Sequence, residues 1–367
     1  MQFKIKLTSP FVGFLLLLAS AQAIGALPGE SIVLNPNTGD YTITYWDYPN
    51  SPRKQLQQAI FVPSTKIDPL VKSTLKLRDD GVIAYTYRVT NGAISRQSLV
   101  AMRFDPVTDI VSALPLPKNE QDVDPNTMEQ IIAAGMDALA TPANWNGSSY
   151  TSEKGGLRIS WSYAILRSVN DGLKPGNTQG GFGFTSRDIP GIGIAQLSGH
   201  SPVPGWPDEG PEGDIANEFE KIEQNDFVPR YTVVPAIAVP TPFDPAVTLE
   251  RIQSHTHTWI GMPLLDATFS AQLDRYFQAA ISAYRLNQPK IGKEHIQTMR
   301  ELIKKEQADA DREDDNDDRS EKGGHDDMNK RALIDKLAAR VLDFDLKYVL
   351  KQMEREHEEG ERKKKRD

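Results

Sequence analysis

Two periods divide the chain. From about residue 30 to 245 hydrophobic and polar side chains alternate in short runs, whereas beyond about 262 the hydrophobic ones recur at intervals of three and four. Alternation puts every second side chain on one face of a strand, and a spacing of three to four builds a stripe along a helix. The clearest alternating pattern is a hairpin. Val71, Leu75 and Leu77 lead to Asp80-Gly81, and Ile83, Tyr85, Tyr87 and Val89 return along one face. An Asp-Gly pair supplies the backbone freedom that a tight corner needs. Val100, Met102 and Phe104 repeat the pattern, and Leu157, Ile159, Trp161, Tyr163 and Ile165 give the cleanest strand. Shorter strands are expected at 41–48, 58–62, 181–186 and 191–197. Two helical insertions, 128–139 and 215–222, interrupt the series. Strands separated by Pro, Gly and Asn, without regularly alternating helices, imply an antiparallel β-sandwich over 30–245.

After a Pro-rich connector, 235–245, the period changes. Phe269, Leu273, Phe277, Ala280 and Ile281 form one helical stripe, and Ile296, Met299, Leu302 and Ile303 form a second. Leu333, Leu337, Val341, Leu346, Val349 and Leu350 mark a third stretch, with a break expected near 343–345. The fold class is therefore α+β: an N-terminal antiparallel β-sandwich followed by a C-terminal α-helical hairpin or small bundle, expected as a separate module over 262–305 and 329–358.

At the N-terminus, Lys4 and Lys6 precede the apolar run 11–19 and the small residues Ala21-Gln22-Ala23. This is the order of a secretory signal peptide, 1–23, with cleavage after Ala23. The run is too short for a membrane anchor, which needs about 18 or more apolar residues. The mature chain is expected to be secreted or periplasmic, without a transmembrane segment. Among 367 residues there is no Cys, so disulfides, thiol nucleophiles and thiolate metal sites are excluded. A net charge of −8 argues against a nucleic-acid binder.

Charge is unevenly spread. The segment 306–328 carries eleven acids against Arg312, Arg319 and Lys322, and contains no aromatic residue. Little apolar area is available there to offset ordering entropy, so an acidic, disordered loop is expected. Asp309, Asp311 and Glu313 alternate as calcium ligands do, but Asp314 stands where an EF-hand loop requires Gly. No organic cofactor is expected, and calcium is the metal candidate at this segment. The basic tail, 359–367, reads as a solubilising terminus.

Six His are present. If the chain around them is extended, His255 and His257 share a face and form a candidate pair of zinc or copper ligands. No Gly-x-Ser-x-Gly elbow and no His-Glu-x-x-His motif occurs. Trp46 and Tyr48, on an early strand, and Trp206, in a loop-like stretch, are candidate ligand-stacking rings; Trp145 reads as loop-borne too. From Pro142 to Gly199 a Trp-bearing strand, a Pro-Gly turn and a Gly-Phe-rich strand follow one another. In outline this resembles the β-sandwich modules of secreted bacterial proteins, which implies a fold and carries over no catalytic residue. The expected function is an exported, non-catalytic binding or structural protein, with an envelope glycan or another exported protein as partner. The alternative is a secreted hydrolase with a site assembled from scattered His and carboxylates, metal-dependent through His255 and His257.

Overall fold

The computed structural model describes residues 27–47, 55–79, 81–104, 139–151, 157–164, 171–201, 214–223, 227–317 and 332–364. The expected signal peptide, Ile165, residues 128–138 of the helical insertion expected at 128–139, and the segment 318–331 lie outside the described residues. What is described is a mixed α and β architecture of three antiparallel sheets with helices mainly toward the C-terminus. Contacts divide it into two compact units, Met1–Phe61 with Val203–Asn225, and Val62–Pro202 with Asp226–Asp367.

The first unit is a meander of β1 (Ser31–Leu34), β2 (Tyr41–Asp47) and β3 (Gln55–Phe61), with helix α1 (Asp214–Glu223). Alternation puts Ile43, Tyr45, Ala59 and Phe61 on one face, and Ile215 and Phe219 of α1 join them in a small core. Phe61 meets Phe219 edge-on with ring centroids 4.8 Å apart, an arrangement favoured by the aromatic quadrupole.

In the second unit, β4 (Pro69–Leu77), β5 (Ile83–Asn91) and β9 (Thr178–Ser186) form one sheet in the order β4-β5-β9. A five-stranded sheet is built from β6 (Leu99–Phe104), β7 (Trp145–Thr151), β8 (Leu157–Tyr163), β10 (Ile189–Gly199) and β11 (Val228–Ile237), in the order β11-β10-β6-β8-β7. The expected hairpin is present: β4 and β5 pair antiparallel with Leu77 opposite Ile83, and Gly81 takes φ 82° in the turn. Aromatic side chains of the two sheets meet. Tyr87 of β5 lies 4.7 Å from Phe104 of β6, and Phe182 of β9 lies 5.0 Å from Trp145 of β7, centroid to centroid. The buried hydroxyls of Tyr85 and Tyr87 donate to the carbonyls of Asp188 and Val233, at 2.7 and 2.8 Å. Both rings can therefore enter the core without an orphaned polar group.

Four helices follow: α2 (Pro245–Gly261), α3 (Ala267–Arg285), α4 (Pro289–Asp317) and α5 (Lys336–Lys364). The expectation of a separate helical module is corrected here. Leu249, Phe277, Ile296, Leu342 and Leu346 belong to the same continuous core as Tyr85, Ile192 and Val233. The N-terminal half of β10, Ile189–Gly193, is buried at every position, which requires cover on both faces. α5 packs on β10 and carries Arg340, whose guanidinium donates to Ser73 Oγ of β4 at 2.9 Å. α5 is also unbroken at 343–345. Burial opposes the charge of Asp343, but hydrogen bonds from Lys347 and Arg300 outweigh it and hold the carboxyl below its ordinary range. Asp345 is fully buried, and neither of its oxygens has a hydrogen-bond partner. The acidic segment begins as helix rather than loop, because α4 continues to Asp317.

Candidate functional site

The pairing expected of His255 and His257 depends on an extended backbone, and the backbone there is helical. Asp244 caps α2, its Oδ1 accepting from the backbone N–H of Ala246 at 2.9 Å and of Val247 at 3.0 Å, and Pro245 occupies the first turn. That is a strong helix start. Two residues along a helix turn a side chain through about 200°, so the two imidazoles diverge.

His255 turns inward against β10. Its Nε2 accepts the backbone N–H of Ile192 at 3.1 Å, and its ring stands edge-on to Trp259. Burial pushes its pKa down to about 4, so it is neutral near pH 7 and serves as an acceptor. Close approach is possible because position 191 is glycine: a Cβ there would lie 2.2 Å from His255 Nε2. His257 is half-exposed and faces α3, with Nε2 2.8 Å from Asp274 Oδ1. Gln253 Nε2 donates to the same oxygen at 2.6 Å, and Gln278 Nε2 donates to Gln253 Oε1 at 2.8 Å. These bonds tie α2 to α3. The structure therefore separates the predicted metal pair, and no group of three or more His, Asp or Glu suited to a metal occurs among the described residues.

Asp309, Asp311 and Glu313 lie on the backbone of α4, and their side chains fall outside the described residues. Tyr48 and Trp206 fall outside them as well. Trp145 is strand-borne, not in a loop, and buried beneath β9. Trp46 is the one predicted stacking ring that is described.

Trp46 lies on the face of the first unit's sheet that α1 does not cover. The register aligns Val33, Thr42 and Ile60 in one row, Ser31, Thr44 and Gln58 in a second, and Trp46 with Leu56 in a third. Val33 is 56% exposed, Leu56 46% and Ile60 59%. The ring is held in place: Trp46 Nε1 donates to the Pro28 carbonyl at 2.9 Å, and its backbone N–H donates to Glu30 Oε1 at 3.2 Å. Glu30 Oε2 also accepts from the backbone N–H of Leu27, which closes the turn beside the ring. None of these eight described side chains is ionisable, and they offer apolar contact and hydroxyl and amide hydrogen bonds. Val33, Leu56 and Ile60 were not singled out from the sequence. The available signal was β3, whose Leu56 and Ile60 alternate with Ala59 and Phe61, giving a strand apolar on both faces.

Among the described residues no helix is long and apolar enough to cross a membrane. Compared with protein-family models, curated proteins and solved structures, the chain matches none of them.

Proposed function

We propose that the protein is exported and acts as a non-catalytic binding module whose contact face is the open side of the β1–β3 sheet, with another exported protein as its partner. The observation that carries this reading is the exposure of large apolar side chains on one face, with Val33 and Ile60 in one row and Leu56 beside the fixed ring of Trp46 in another. A protein seldom leaves several large apolar side chains uncovered on one sheet face unless something docks there. Covering the exposed halves of these side chains contributes on the order of 1 kcal/mol each, a scale suited to a reversible contact. The second unit then serves as the rigid body. Its two sheets, whose aromatic side chains meet at Tyr87, Phe104, Trp161 and Phe182, are read as a β-sandwich with helices packed on it.

The test is site-specific photo-crosslinking in the producing cells, with the probe at Ile60 or, as a control, at Lys72 on β4. The reading expects the exported chain to begin after Ala23 by mass spectrometry. It also expects discrete adducts from Ile60 that vanish in the Leu56→Asp variant, and none from Lys72. Equal adducts from both positions, no adduct from Ile60, or a chain retained with its leader would each overturn it.

A further inference from the structure

A different open face lies in the second unit, on the outer side of the five-stranded sheet. Register places Gln196 of β10, Arg103 of β6, Ser160 of β8 and Ser148 of β7 side by side across four strands. The next row is Ser198, Ala101, Ser162 and Asn146. Their chain neighbours Leu197, Met102 and Trp161 are buried, so these eight point away from the core. At about 4.8 Å per strand and 3.4 Å per residue, the two rows cover roughly 14 Å by 7 Å. That is the footprint of a short oligosaccharide.

The composition of this face is not that of a sheet merely wetted by solvent. The outer side of the β4–β5 hairpin shows the ordinary solution, with exposed Lys72, Lys76 and Arg88. Across the rows of the larger sheet the side chains besides Arg103 and Ala101 are hydroxyls and amides. Ser148 Oγ and Ser160 Oγ already lie 2.8 Å apart, which orients both. Such groups both donate and accept, as recognition of sugar hydroxyls requires.

Arg103 supplies the charge. Its Nε donates to Gln196 Oε1 at 2.7 Å, its Nη2 donates to the same oxygen, and its Cζ sits 3.7 Å above the Phe227 ring. An amide and an aromatic ring fix the guanidinium plane, and among the described residues no carboxylate is paired with it. A planar guanidinium held this way is prepared for a carboxylate, which it binds through paired hydrogen bonds. Tyr231, 43% exposed and opposite Ile194 on the same face, adds a ring at the edge where a sugar can stack.

We propose that the outer face of the five-stranded sheet binds an acidic polysaccharide, with Arg103 on a uronate carboxylate and Ser148, Ser160, Ser162 and Asn146 on ring hydroxyls. This does not depend on the protein contact proposed for the first unit, since it uses other residues. The test is calorimetric titration of the full mature chain with polygalacturonate, its methyl ester and dextran, at about 0.15 M salt to screen diffuse attraction. Polygalacturonate is expected to bind, the ester at least tenfold more weakly, and dextran not at all. Arg103→Gln should weaken binding at least tenfold. Asn146→Glu and Ser162→Glu, at exposed positions where folding is not at stake, should do the same. Lys72→Glu with Lys76→Glu, on the other sheet, should leave binding unchanged. The proposal fails if polygalacturonate does not bind, if the ester or dextran binds as well, if Asn146→Glu and Ser162→Glu bind like the parent, or if the Lys72/Lys76 variant loses as much as they do.

Discussion

Acidification should loosen the docking of α2 on β10, and the effect is traceable to one ring. His255 Nε2 accepts the Ile192 N–H, and burial lowers its pKa from 6.5 to about 4. Between those values the unfolded chain holds a proton that the native chain refuses, so stability is fully present above pH 6.5 and is lost as pH falls toward 4. A shift of that size corresponds to roughly 3 kcal/mol at most, since one pKa unit is about 1.4 kcal/mol. Protonation also turns the acceptor into a donor facing an N–H, which leaves the Ile192 group unsatisfied. Asp345 acts in the opposite sense. Burial raises its pKa well above 3.8, so the native state holds a proton that the unfolded chain releases, and stability falls as pH rises through that range. The two effects overlap, so the measurement must isolate the imidazole. Urea denaturation of the parent and of His255→Gln, which keeps an acceptor but cannot titrate, should be followed from pH 7.5 to 4.5. The parent is expected to lose about 2 to 3 kcal/mol relative to the variant across that interval. Parallel curves for the two proteins would refute the reasoning.

Three further outcomes follow from the same contacts. Gly191→Ala places a methyl group 2.2 Å from His255 Nε2 and 2.4 Å from Ala236 Cβ, and should cost about 1–3 kcal/mol in equilibrium denaturation through overpacking. Asp345→Asn removes a buried, unpartnered acid, so its stability relative to the parent should climb as pH rises above 4, read as a growing difference in urea midpoint. Trp161→Ala empties the site where Phe104 and Phe182 converge, and should lower stability by about 3–5 kcal/mol in the same assay.

The β4–β5 hairpin was legible in the sequence because its alternation and its Asp80-Gly81 corner are local properties, and α3 was legible for the same reason. Strand β11 was not singled out in the sequence, and its end from Pro235 read as the start of the connector 235–245, because Pro229 and Pro235 interrupt its pattern. A proline breaks a ladder only where its missing N–H is needed, and β11 is the edge of its sheet. Strand β7 read as loop because Gly147 stands at an inward position. A Cβ there would lie 2.6 Å from Thr141 Oγ1 and 3.2 Å from Trp161 Nε1, so the glycine makes room for a ring contributed by another strand. The His255 and His257 pair was misjudged because an alternating reading was applied to a helix whose start, Asp244-Pro245, was written in the chain.

By itself, the sequence determined where the period is two and where it is three to four, the absence of thiol chemistry and the concentration of acid in one segment. These follow from each residue's covalent identity and its immediate neighbours. Tertiary structure alone decided that α5 closes over β10, that His255 spends its lone pair on a backbone N–H, and that two sheet faces are left open by the described residues. Periodicity says which side chains share a face. Whether that face meets water or another element depends on contacts between residues far apart in the chain, and those form only when the chain folds.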